Sequence, residues 1–224
     1  MRLEDIDQID SVVLSSGDAL IVVDMQNDFM PGGTLQVEKG DTIISGVNSA
    51  MQLFNHKDLC VVMTQDWHPI LHDSFASAHE GKLPFDPIEA PGIGPVLWPD
   101  HCIQNTQGAD FHLDIMTDLA QAVIRKGYHK SMDSYSGFLE NDKKTTTGLD
   151  GYLKSKGIQR IFVCGLALDY CVFFTSADGI ALGYEVFVLA DLSLPVGSPE
   201  NSIVYALTTM QNRGVRFAIS SALK

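Results

Sequence analysis

The alternation of short, β-branched apolar runs with longer helical stretches is the feature that most constrains this chain. "ALIVVD" (Ala19–Asp24), "LCVVMTQD" (Leu59–Asp66), "QAVIRKG" (Gln121–Gly127), "RIFVCG" (Arg160–Gly165), "EVFVLAD" (Glu185–Asp191) and "VRFAIS" (Val215–Ser220) each read as a strand buried on both faces. Helices are predicted over Asp41–Asn55, Thr147–Lys156, Asp169–Leu182 and Pro199–Arg213. The last is framed by Ser198 as N-cap, proline at the first helical position and Gly214 beyond the end. Strands joined by crossover helices predict a parallel sheet with helices on both faces, the α/β class. Such sheets bind ligands beyond the carboxyl ends of their strands, so the polar residues there carry the functional question.

With 45% hydrophobic residues in 224, the chain can bury one sizeable core. Residues 1–224 therefore read as a single domain, with a short acidic amino-terminal extension (about 1–18). A formal net charge of −13 and the lack of a clustered Lys/Arg face argue against a nucleic-acid partner. Apolar runs stop at Asp, Gly or Lys well short of the roughly 18 residues a bilayer requires, which argues against a membrane role. Cys60, Cys102, Cys164 and Cys171 show no metal-finger spacing, and no signal peptide is read ahead of them. Free thiols in the cytoplasm are the expectation. Residues 74–111, rich in Pro, Gly and His, form a loop long enough to suggest a functional role.

Three chemically distinct side chains fall at or just past strand ends: Asp24, Lys126 and Cys171. In a parallel sheet they can meet at one rim. An acid, an amine and a thiol there suggest nucleophilic catalysis, because a thiol with a free pKa of about 8.5 gains thiolate character from a helix start and a nearby ammonium. Any one of them alone is ordinarily a turn or packing residue. A second cluster follows the next strand: in "TQDWHP", Asp66 and His68 flank Trp67 and point to one side of an extended chain. A carboxylate and an imidazole so placed can bind a metal, with His101 as third ligand and His72 and His79 as competitors.

"VVDMQNDFMPGG", "TQDWHP", "SFA", "WPDHCIQNTQGADFH", "KG", "DSYSGF" and "GLALDYCV" occur in order between about Ala19 and Leu223. Together they resemble the nicotinamidases of the isochorismatase-like cysteine hydrolases. The resemblance implies a three-layer α/β/α fold with a six-stranded, mainly parallel sheet. It implies Asp24 as catalytic base, Lys126 as catalytic lysine and Cys171 as nucleophile, with backbone N–H groups of Ala167 and Cys171 as the oxyanion site and a cis Leu166–Ala167 peptide. It further implies Asp66, His68 and His101 as ligands of one divalent metal, zinc first, with Fe2+ or Mn2+ as alternatives. Phe29, Trp98 and Tyr135 match positions lining the substrate-ring pocket. The implied reaction is hydrolysis of nicotinamide to nicotinate and ammonia in NAD salvage, extending to pyrazinamide, and the metal is implied to hold the pyridine nitrogen. Tyr170 and Leu168 stand where some relatives carry histidine and threonine, which bears on access for substituted amides. The alternatives are a metal-free relative acting on a carbamoyl or ureido compound, and a noncatalytic binding protein on the same fold. Self-association into a homo-oligomer is left open.

Overall fold

The computed structural model of the protein describes residues 6–224. Its strands are β1 (Gln8–Ile9), β2 (Asp18–Val23), β3 (Cys60–Asp66), β4 (Ala122–Lys126), β5 (Arg160–Leu166), β6 (Glu185–Leu194) and β7 (Arg216–Ala218). They form one seven-stranded sheet in the order β1-β7-β6-β5-β2-β3-β4, and every pairing is parallel. The helices are α1 (Ile44–His56), α2 (Leu149–Ser155), α3 (Phe173–Ala181) and α4 (Ser202–Asn212).

The centre of the sheet is built from β-branched and aromatic residues with no exposed surface. Leu20, Ile21 and Val22 of β2 lie between Val61–Met63 of β3 and Phe162–Val163 of β5. Each such side chain contributes about 1.5–3 kcal/mol through burial. Phe162 stacks on Phe187 and meets Phe54 of α1 edge-on, tying helix to sheet.

The order of the strands fixes where a ligand can enter. From β2 the chain crosses to β3 and on to β4, whereas from β5 it crosses to β6 and on to β7, in the opposite direction. Right-handed crossovers then put α1 on one face and α3 and α4 on the other. The carboxyl ends of β2 and β5, adjacent in the sheet, diverge at a topological switch point, the crevice where such sheets bind ligands.

Three expectations are corrected. The sheet has seven strands rather than six, because Gln8–Ile9 pairs with β7; a strand of two residues is too short to show a period of two. The residues of the expected amino-terminal extension before Ile6 lie outside the described ones, while Val12 bridges to Leu223. The parallel pairing is as expected. Strand β4 is not buried on both faces: it is a sheet edge, with Val123 and Arg125 exposed. Helix α4 begins at Ser202 rather than Pro199, because the Ser202 amide closes a turn onto the Pro199 carbonyl and the Ser198 carbonyl is taken by the Tyr170 hydroxyl.

Candidate active site

Parallel register brings the sequence-selected residues together. Asp66 and Lys126 are paired residues at the ends of β3 and β4, and Asp24 follows Val23, the partner of Gly165. Asp24 has φ 47°, a left-handed conformation that aspartate tolerates better than most residues. Its side chain is fully buried, and Oδ1 accepts a 2.7 Å hydrogen bond from Thr64 Oγ1.

Lys126 is the hub. Its Nζ lies 2.8 Å from Asp24 Oδ2, 2.6 Å from Asp66 Oδ1 and 3.3 Å from Cys171 Sγ, and donates to the Ser134 carbonyl at 3.1 Å. Burial opposes its charge, but the two carboxylates outweigh burial and hold its pKa well above the usual lysine value. At Asp66 burial likewise opposes ionisation, and Lys126 and His68 overcome it, keeping the carboxyl well below the usual range. Asp24 goes the other way: burial pushes its carboxyl up, against Lys126 and with the help of Asp66. Its Oδ2 lies against the Lys126 ammonium as an ion contact and has no further partner.

Cys171 sits in a π-helical turn, Leu168–Val172, that precedes α3. The Ala167 carbonyl accepts from the Tyr170 and Val172 amides at 3.1 Å each and closes that turn. The Leu166–Ala167 peptide is cis. The expected thiolate bias is absent from the resting site: burial raises the thiol pKa well above its usual value, and Lys126 is opposed by Asp24 and Asp66. A carboxylate oxygen each of Asp24 and Asp66 and the Cys171 sulfur all lie within 4.8 Å of one another, which puts acid and thiol side by side.

Beside this triad, Asp66, His68 and His101 form a group whose ligand atoms also lie within 4.8 Å of one another. Asp66 Oδ1 is occupied by Lys126, leaving Oδ2 to face His68 Nε2 at 3.5 Å and His101 Nε2 at 3.7 Å. His68 Nδ1 lies 2.8 Å from the Gly127 carbonyl, and His101 Nδ1 lies 2.8 Å from the Pro99 carbonyl. A carbonyl can only accept, so both rings carry a proton on Nδ1 and turn Nε2 toward Asp66, the arrangement typical of metal-ligating histidines. The donor set fits a divalent metal. Gly127, at φ 68°, makes room for it: a Cβ there would lie 2.5 Å from His68 Cε1. His72 and His79 are not part of the set, since His72 bonds through both ring nitrogens to Ser74, His129 and Met132, and His79 Nε2 bonds to the Asp73 carbonyl.

The two groups open into one cleft of about 350 Å³, its mouth included. Phe29, Trp98, Tyr135 and Tyr170 are its aromatic walls, and Asp66, His68, His101, Ala167 and Cys171 reach it. Trp98 Nε1 donates to the Tyr135 hydroxyl at 3.0 Å, and that hydroxyl donates to the Gly94 carbonyl at 2.9 Å, so the wall's polar atoms are bonded to each other and to the loop. The long loop supplies Trp98 and His101, as its length suggested. Sequence reasoning missed Asp133, Leu35 and Val196 as lining residues, since they belong to connections without periodicity. "DSYSGF" was a signal for Asp133; nothing marked Val196.

Residues 18–220 match the isochorismatase domain, and the chain belongs to that family. Within it, the chain is 45% identical over 198 residues to a nicotinamidase of Acinetobacter baylyi, covering 88% of this chain and 90% of that one. Its structure resembles PnC1 from L. infantum in complex with nicotinate at 38% identity and TM-score 0.82, covering 96% and 98% of the two chains. A pyrazinamidase of Pyrococcus horikoshii in complex with zinc is also 38% identical, with TM-score 0.74 and coverage of 91% and 99%.

Proposed function

We propose that the protein is a nicotinamidase, hydrolysing nicotinamide to nicotinate and ammonia through a thioester on Cys171. The observation that carries this reading is one cleft in which a buried thiol, a metal-competent Asp66/His68/His101 face and an aromatic wall meet. Nicotinamide has the matching parts: a carboxamide, a ring nitrogen and a flat aromatic body. The 45% identity to a nicotinamidase supports the same substrate, and the pyrazinamidase similarity supports pyrazinamide as a second.

Asp24 takes the Cys171 proton while Sγ attacks the carboxamide carbon. The oxyanion is held by the Ala167 and Cys171 N–H groups. Asp24 returns the proton to the departing amine, and ammonia leaves a thioester. Asp24 then takes a proton from water as it attacks the thioester carbon, nicotinate departs, and the proton goes back to Sγ. Lys126 stays charged throughout and fixes both carboxylates. A divalent metal held by Asp66, His68 and His101, zinc before iron or manganese, supplies when bound a Lewis-acid partner for the ring nitrogen. The zinc complex of the Pyrococcus relative supports that choice.

The same reading makes the chain a single-domain cytoplasmic enzyme of NAD salvage; among the described residues no helix is long and apolar enough to cross a membrane. The test is ammonia release from nicotinamide by purified protein of measured metal content. Turnover supports the reading; no ammonia from metal-loaded protein, with release from a ureido or carbamoyl amide instead, overturns it.

A further inference from the structure

The segment between β6 and α4, residues 195–201, forms one side of the cleft through Val196, yet it belongs to no helix or strand. Pro195 and Pro199 contribute no amide hydrogens. Its hydrogen bonds run to the turn that carries the nucleophile. Asp169, only 3% exposed and two residues before Cys171, accepts from the Val196 amide at 2.9 Å through Oδ1. Its Oδ2 accepts from the Gly197 amide at 2.9 Å and from Ser202 Oγ at 2.5 Å. Next in sequence, Tyr170 lines the cleft and donates its hydroxyl to the Ser198 carbonyl at 2.7 Å.

We infer that Asp169 is a positioning residue that fixes the Val196 wall of the cleft at a set distance from Cys171, and so decides which carboxamide rings fit. The inference rests on the amide-hydrolase reading above. Asp169 touches none of the reacting atoms: its oxygens are taken by the segment it holds. A carboxylate serves where a backbone strand would not, because one acceptor group can gather two successive amides and the first hydroxyl of α4. The same turn then carries both nucleophile and wall support, so their separation does not depend on the β6–α4 connection alone. Val196 presents an apolar side chain to the cleft that Phe29 and Trp98 also line, and a shift of that side chain changes the room available to a planar ring more than it changes the chemistry at Sγ.

The test uses the metal-loaded Asp169→Asn protein. An amide in place of the carboxylate still accepts from the Val196 amide through its oxygen, while its NH2 group cannot accept from Gly197 or Ser202. Expected are a rise in KM for nicotinamide of about tenfold, the loss typical of a charge-assisted hydrogen bond, kcat within about threefold, and a relative gain for a bulkier aromatic carboxamide. Val196→Ala, with Asp169 intact, should show the same shift in ring preference and covers the case in which Asp169→Asn folds poorly. Hydrogen exchange at the Val196 and Gly197 amides should accelerate in Asp169→Asn whether or not nicotinamide is the substrate. Failure of wild-type protein to turn over nicotinamide would therefore strike the substrate reading alone. Unchanged exchange at those amides, unchanged ring preference in both variants, or an equal fall in kcat and kcat/KM with KM intact would overturn the inference.

Discussion

Strand β2 begins on one buried aspartate and is followed directly by another, and the two ends of the sheet treat that residue in opposite ways. At the amino end, Asp18 is matched. Arg160, its register partner on β5, donates Nε at 2.7 Å and Nη2 at 2.6 Å, and the Ser15 amide adds a third bond at 2.7 Å. One cation meets one carboxylate in a fork geometry, and the cation keeps part of its surface in water. At the carboxyl end, Lys126 is shared among Asp24, Asp66 and the Cys171 thiol, and Asp24 Oδ2 has no partner beyond it. The amino end stabilises the fold with a finished interaction. The carboxyl end leaves one unfinished, and that is where a proton can move.

The comparison would be broken most sharply by Cys171→Ala. Turnover should fall by at least about 10⁴-fold with an unchanged circular dichroism spectrum, whereas Cys164→Ala, on the same stretch but buried within β5, should keep its activity in the ammonia assay. Asp24→Asn should lower kcat by about 10²–10⁴-fold, the range for a lost general base. Urea unfolding should show it as stable as the parent or more so, because the substitution removes a crowded negative charge. Stripping metal with a chelator should lower nicotinamide turnover at least about tenfold, with recovery on adding back zinc. Asp18→Asn should do the reverse of Asp24→Asn: activity within about twofold and a loss of about 1–3 kcal/mol in urea. An activity loss there equal to that of Asp24→Asn would end the distinction between the two ends. Smallest of all, Lys154→Ala removes an exposed Asp150–Lys154 pair and should cost about 0.3–0.5 kcal/mol, with no change in turnover.

Much of this was legible in the chain. Six runs of β-branched residues mark β2 to β7 because strands buried in the middle of a parallel sheet must be apolar on both sides. The edge strand β4 was read with the same rule and departs from it, since its outer flank has no neighbour. The ordered motifs placed Asp66, His68 and His101 correctly beside one another, and no spacing rule excluded His72. His72 lost its place only when its two ring nitrogens were found engaged elsewhere. Asp133 and Val196 were hidden for a different reason: residues in irregular connections acquire their positions from whatever grips them, and the grip comes from distant segments.

The sequence by itself determined six of the seven strands, the order of the crossovers' elements and the identity of the groups brought to the rim, because periodicity and strand-end position are local properties of the chain. It could not determine which of the aspartates at the two ends of β2 would be held and which left open, nor the direction in which the Cys171 pKa moves. A helix start and a lysine suggested a thiolate; burial, together with Asp24 and Asp66, pushes the thiol up instead. Those outcomes belong to the tertiary structure, since the energy of a buried charge depends on the count and placement of its neighbours and not on the residues adjoining it in the chain.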